Sequence, residues 1–114
     1  MSTLKVNTIQ NTSGSEMYLA KAWVNFSGEG AVSIRAAGNV SSITDNGTGD
    51  YTITFTTAFP DTKYAATCGI TGVGEVISPY DNYTQTTSNY RINTRRTDSF
   101  APADSRYVNY AFFR

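Results

Sequence analysis

The sequence predicts an all-β chain: a small antiparallel β-sandwich, jelly-roll or barrel-like, with an N-terminal extended arm. Three observations carry that reading. Val, Ile, Thr, Tyr, Phe and Trp account for 46 of the 114 residues, whereas Leu, Met, Lys, Gln and Glu together supply only 12; strand formers therefore outnumber good helix formers. Apolar residues recur with period two in about eight short runs, the spacing of half-buried strands. Gly, Pro, Asn and Asp separate these runs, and no helical pattern is longer than one turn, which favours a sandwich or small barrel.

The elements follow in order. Leu4 and Val6 share one face of an extended segment over residues 4–9, and residues 10–16 form a polar turn or linker. A lone strand cannot satisfy its own backbone groups, so this arm needs a sheet edge. Residues 1–16 read as arm and linker, and residues 17–114 as the sandwich domain. Ala22, Val24 and Phe26 alternate against Trp23 and Asn25, and after a turn at residues 27–30 Val32 and Ile34 alternate with Ser33 and Arg35. Val40 and Ile43 break period two, and a bulge near Ser41-Ser42 would return both to one face. The Asn46-Gly47 pair, within the turn spanning residues 45–50, supplies positive φ for a hairpin. Tyr51, Ile53 and Phe55 then alternate with three threonines, and Phe59-Pro60-Asp61 ends that strand. Tyr64, Ala66, Cys68 and Ile70 form the next run, with Cys68 on its apolar side as a buried, inert thiol. Val76-Ile77, Tyr90–Thr94 and Tyr107–Phe113 complete the set, with loops at 78–89 and 99–105. The last run is apolar on both faces, which calls for cover on both; the second cover is expected from another subunit.

Composition removes most chemistry. The chain has nine basic and nine acidic residues and no histidine. Without a positive field it is not expected to hold nucleic acid. Without histidine it can build neither a Ser-His-Asp nor a Cys-His arrangement, nor a zinc site that uses histidine. One cysteine allows no intrachain disulfide. No segment is apolar for long enough to span a bilayer, and the N-terminus lacks the charged and apolar regions of a Sec signal. A soluble chain that stays in the cytoplasm that makes it, with no membrane insertion, is expected. Catalysis by paired carboxylates would have to draw on nine acids, most of them in turns, so no enzyme and no cofactor are expected.

The remaining candidates are binding surfaces. Asp45 and Asp50 bracket a Gly-rich loop, but the spacing departs from a calcium loop, so a hairpin is read and no metal. Sequons at Asn11, Asn25, Asn39, Asn46 and Asn82 follow from an Asn-, Ser- and Thr-rich composition. Tyr80, Asp81, Asn82 and Tyr83 combine rings with short polar groups on one loop, which suits carbohydrate or protein recognition; a solvated loop with a tyrosine folded inward is the alternative. Trp23 opposes the apolar face of its strand, where it packs against a second sheet or a neighbouring subunit, or stacks on a sugar ring. Leu4, Val6, Ile9, Trp23, Tyr107 and Phe113 are the candidate oligomer interface. Arg95 and Arg96 face opposite sides of a strand, and Asp98 is close enough to pair with one of them.

Several segments also carry a resemblance. Ser2-Thr3-Leu4-Lys5-Val6-Asn7-Thr8-Ile9-Gln10 with Ser13-Gly14, then Lys21-Ala22-Trp23-Val24-Asn25-Phe26, Ile34-Arg35-Ala36, and the stretch from Asn39 to Thr52 together resemble tail-fibre-type domains of tailed-phage virion structural proteins, marine cyanophage among them. The similarity runs from Ser2 to about Pro60, with an echo in Tyr64-Ala65-Ala66. The resemblance implies a non-enzymatic virion component that is β-rich and often a homotrimer, made in the host cytoplasm and carried on the tail or capsid surface. Its partners would be its own copies, other virion proteins, and a host surface glycan or protein. The chain is shorter than long fibres and has no repetitive shaft. Two roles are therefore expected: a tail-fibre-like appendage for host attachment, or a capsid decoration, cement or head-fibre protein that stabilises the capsid.

Overall fold

Period-two alternation becomes eight strands in the computed structural model, which describes residues 2–71, 75–79 and 85–114. They are β1 (Ala22–Ser27), β2 (Ser33–Gly38), β3 (Val40–Gly47), β4 (Asp50–Phe55), β5 (Ala65–Thr71), β6 (Glu75–Pro79), β7 (Asn89–Arg96) and β8 (Tyr107–Phe113). No helix occurs among the described residues. Two four-stranded antiparallel sheets form, ordered β2-β1-β8-β5 and β3-β4-β7-β6. They pack face to face as a sandwich, and among the described residues each keeps two free edges.

The inward faces are those the alternation assigns. Ala22, Val24 and Phe26 of β1, Tyr51, Ile53 and Phe55 of β4, and Val108, Tyr110 and Phe112 of β8 are all buried, as are Tyr90 and Ile92 of β7. Phe59 and Tyr64, from the connection that carries the chain back to the first sheet, plug one end. Eight of the thirteen apolar residues buried among the described ones are aromatic. Phe112 is their hub, with ring centroids of Phe55, Tyr90, Tyr110, Tyr64 and Phe59 at 4.9, 5.4, 5.6, 5.9 and 6.4 Å. Most of these contacts are edge-on or tilted, as ring quadrupoles favour.

Turns set the corners. The expected bulge is present: Val40 faces Phe55 and Ser42 faces Thr54, leaving Ser41 as the extra residue, and Val40 and Ile43 both pack on the core. Between β2 and β3 the chain changes sheets through one residue, Asn39, at φ +56°. Asparagine tolerates this left-handed conformation better than most residues. Its amide secures the corner, Oδ1 accepting from Thr57 N at 2.7 Å and Nδ2 donating to Thr57 O at 3.1 Å.

The β3–β4 hairpin differs from the expectation. Gly47 pairs with Asp50, so the corner is Thr48-Gly49, and Asn46 falls in a second bulge. Gly49 takes φ +66°, and a side chain there would run into the Thr94 carbonyl. The packing of a distant strand, invisible in the local sequence, therefore decides which glycine turns the chain. At this end of the sandwich the buried Tyr51 hydroxyl donates to Asp104 Oδ1 at 2.5 Å, and Gly49 N donates to the same oxygen at 2.8 Å. Burial, then the neighbouring Asp104, pushes the Tyr51 phenol far above its ordinary value.

Cys68 also departs from the expectation. It pairs with the buried Tyr110 and so lies on the inner register, yet it is exposed. β5 is an edge strand, and the inward direction there is not covered. Ile34 is exposed for the same reason, on edge strand β2.

Neighbouring phenylalanines give the test of this architecture. Phe112→Ala should cost about 3–5 kcal/mol, a large part of the roughly 5–15 kcal/mol available to a domain. Phe113→Ala, on the outer face, should change stability by no more than about 1 kcal/mol. Urea denaturation followed by tryptophan fluorescence measures both.

Candidate functional site

The outward faces of the two sheets differ in chemistry. On β3, β4 and β7 of the second sheet the described outer face is polar and largely paired, the buried Asn93 Nδ2 being without a partner. The Asp50 carboxylate takes a bidentate contact from Arg91, with Nε–Oδ1 at 2.9 Å and Nη2–Oδ2 at 2.7 Å. Asn46 Nδ2 donates to Thr52 Oγ1 at 2.8 Å and to Asp50 Oδ1 at 3.3 Å. Asp45 Oδ1 accepts from Gly47 N at 3.0 Å. The two acids that bracket this loop thus brace the hairpin, the role read for them. The Arg91 hydrogen bond, opposed by some burial, holds the Asp50 carboxyl below its usual value.

The outer face of the β2-β1-β8-β5 sheet is built differently. Register places Trp23 beside Gly38 and Ala111, Asn25 beside Ala36 and Asn109, Thr67 beside Ala111, and Gly69 beside Asn109. Small residues form the floor and aromatic side chains stand up from it. Trp23 (43% exposed), Tyr107 (41%) and Phe113 (37%) are among the exposed large apolar groups. The Trp23 indole crosses Gly38, where any Cβ would collide with Nε1, so the absence of a side chain on β2 seats the ring. Asn25 Nδ2 donates to Asn109 Oδ1 at 2.6 Å across the centre of the sheet. Arg35 Nη1 donates to Asn25 Oδ1 at 3.1 Å, Nη2 donates to the Arg106 carbonyl at 2.6 Å, and the guanidinium lies 4.0 Å from the Tyr107 ring centroid. Charge is held at the rim, where Arg106 pairs with Glu29. Between Trp23 and β5 lies a shallow depression of about 400 Å³, lined by Asn25, Asn109, Ala111, Thr67 and Gly69.

The arm approaches the same sheet at the end of β8. It bends at Asn11–Ser15, where Asn11 Oδ1 accepts from Ser13 N and Ser15 N, both at 3.0 Å, and Gly14 takes φ +85°. Met17 N donates to Ile9 O at 2.7 Å, and Gln10 bridges to Glu16. A cleft of about 430 Å³ runs between the arm and β8, lined by Val6, Ile9, Met17, Leu19, Phe113 and Arg114. Leu4 is 84% exposed and Val6 53%, and neither joins a sheet of its own chain.

Of the residues singled out in the sequence, Trp23, Tyr107 and Phe113 share one sheet face. Val6 and Ile9 line a cleft against Phe113, and Leu4 stands apart. Tyr80, Asp81, Asn82 and Tyr83 lie outside the described residues. Arg96 pairs with Asp98 at 3.2 Å. The sequon asparagines at 11, 25, 39 and 46 are all spent on turns or cross-strand bonds. The sequence reading missed Asn109, Arg35 and Gly38. A polar residue interrupting an otherwise two-faced apolar strand was the available signal for Asn109. No group of three or more metal-ligating side chains occurs among the described residues, and no helix is long and apolar enough to cross a membrane. No protein-family model, curated protein or solved structure matches the chain.

The polar face predicts a pH response. Because the folded Asp50 pKa is depressed, its contribution is present above the ordinary carboxyl pKa near 4 and is lost as pH falls through the lower folded value. Asp50→Asn should reduce stability at pH 7 by about 1 kcal/mol or less, and the difference from the parent should shrink near pH 2.5. Denaturation curves at the two pH values check the sign.

Proposed function

We propose that the chain is a non-enzymatic structural protein of a tailed-phage virion, a homotrimeric, tail-fibre-like appendage that contacts the host surface. The observation that carries the self-assembly part is the aromatic-studded face of the β2-β1-β8-β5 sheet. A floor of Gly, Ala and Thr with three exposed rings and a hydrogen-bonded central Asn25–Asn109 pair suits a partner surface of the same kind. On the opposite sheet Asp50 and Arg91 pair with each other, which suits solvent. The resemblance of residues 2–60 supplies the virion context and the three-fold order. The alternative, a capsid decoration or head-fibre protein, uses the same face for assembly and differs in location.

Assembly is tested first. Sedimentation at micromolar concentration should give a species of three chains, and a folded monomer would remove the proposal. Ala111→Glu puts a carboxylate at the centre of the face and should weaken association by roughly 100-fold, about 2.7 kcal/mol, with the circular dichroism unchanged.

Host contact is tested separately through the loop that holds Tyr80 and Tyr83. Replacing both with Ala should lower adsorption to host cells by about 30-fold, the equivalent of ~2 kcal/mol from one lost aromatic anchor. Melting should move by only a few degrees. Unchanged adsorption, with copies mapped to the head and capsids that leak DNA at lower temperature when the protein is absent, would select the decoration role.

A further inference from the structure

The four free sheet edges are not equivalent. β2 carries a bulge, its register against β1 shifting at Asn25/Phe26, and bears Arg35. β3 carries two bulges. β6 contains Glu75 and Pro79. These are the features by which sheet edges avoid pairing with other chains. β5 has none of them: its register against β8 runs unbroken over seven residues, Ala65 to Thr71, with no charge and no proline. Its inward register is also incompletely buried, although Ala66 packs against the core. Ala66, Cys68 and Ile70 pair with the buried Phe112, Tyr110 and Val108, yet Cys68 is exposed and the other two are only half-buried.

The chain carries a segment with the complementary deficit. Residues 2–8 lie ahead of the Ile9–Met17 anchor, belong to no sheet, and alternate Leu4 and Val6 with Lys5 and Asn7. Seven residues of extended chain span roughly 23 Å, the length of β5. The arm's anchor sits beside Phe113, whose cross-strand partner is Ala65 at the start of β5. The molecule measures 48 × 30 × 26 Å, well beyond the roughly 26 Å of an eight-residue strand. Leu4 is the most exposed large apolar side chain among the described residues. The arm is thus uncovered on its own chain and free to reach another.

We propose that the free edge of β5 accepts residues 2–8 of a neighbouring copy as a fifth strand, with Leu4 and Val6 covering the open side at Ala66, Cys68 and Ile70. Each copy then gives one arm and receives one, a head-to-tail exchange that closes into a ring. The proposal rests on the self-assembly reading above and names the contact that links the copies.

Cys68, the single cysteine, makes the contact testable in the full chain. Leu4, Lys5, Val6 and Asn7 are replaced by Cys one at a time, and each variant is mildly oxidised and run on a non-reducing gel. Directly opposed residues on one face of paired strands come close enough for a disulfide. Whichever of Leu4→Cys and Val6→Cys stands opposite Cys68 should therefore link separate chains, Lys5→Cys and Asn7→Cys should not, and Cys68→Ser should abolish the link. A full chain carrying both Leu4→Asp and Val6→Asp, two exposed sites, should keep its circular dichroism. It should expose Cys68 to alkylation about tenfold faster, as expected when a strand that covered it is released. An oligomer without Cys68 links between chains, or with links that ignore the alternation, overturns the arm exchange and leaves the assembly reading standing. Links within a single chain overturn the choice of a neighbour. A monomer by sedimentation overturns both.

Discussion

The fold depends on the aromatic cluster gathered around Phe112. In so small a domain the core has few positions, and rings fill them with more apolar area per residue than aliphatic side chains could. Phe112 is fully buried and touches rings from both sheets and from the connection between them. It sits on β8, which lies inside its sheet between β1 and β5 although it is last in sequence. Most of the long-range pairing therefore waits for the C-terminal residues. The sandwich cannot close around the first strands alone, and contacts so distant in sequence favour slow folding.

The same strand builds the candidate surface. Successive residues of a strand point to opposite faces, so Phe112 belongs to the core and Phe113 to the exterior. Val108, Tyr110 and Phe112 commit one face to the second sheet, while Tyr107, Asn109, Ala111 and Phe113 are left with small neighbours on β5 and with Trp23 and Asn25 on β1. The central Asn25–Asn109 bond, with Arg35 on Asn25 Oδ1, pairs part of this polar centre before anything covers it. Core and surface are tied by geometry: a one-residue slip in β8 would exchange them.

Much of this was legible in the residues. The run from Tyr51 to Phe55 and the run from Ala22 to Phe26 showed their buried faces by alternation alone, and the bulge at Ser41 followed from an apolar spacing of three. Trp23, Tyr107 and Phe113 were recognisable as outward-facing by the same parity. Asn46-Gly47 misled because local propensity allows several corners, and packing against Thr94 and Ala103 chose Gly49. Cys68 misled because parity gives the direction of a side chain and not whether anything lies there.

What the sequence determined by itself was local: strand positions, the parity of each face, and the absence of the side chains that most catalytic and zinc sites require. Those follow from backbone geometry and composition, which need no neighbour to be read. Strand order was decided only by the tertiary structure. It made β5 an edge and β8 a centre, brought Trp23, Tyr107 and Phe113 onto one face, and set Gly38 under the indole. The reason is that burial belongs to a residue and its surroundings together, and the surroundings here come from segments as distant in the chain as the paired Ala22 and Phe112 are.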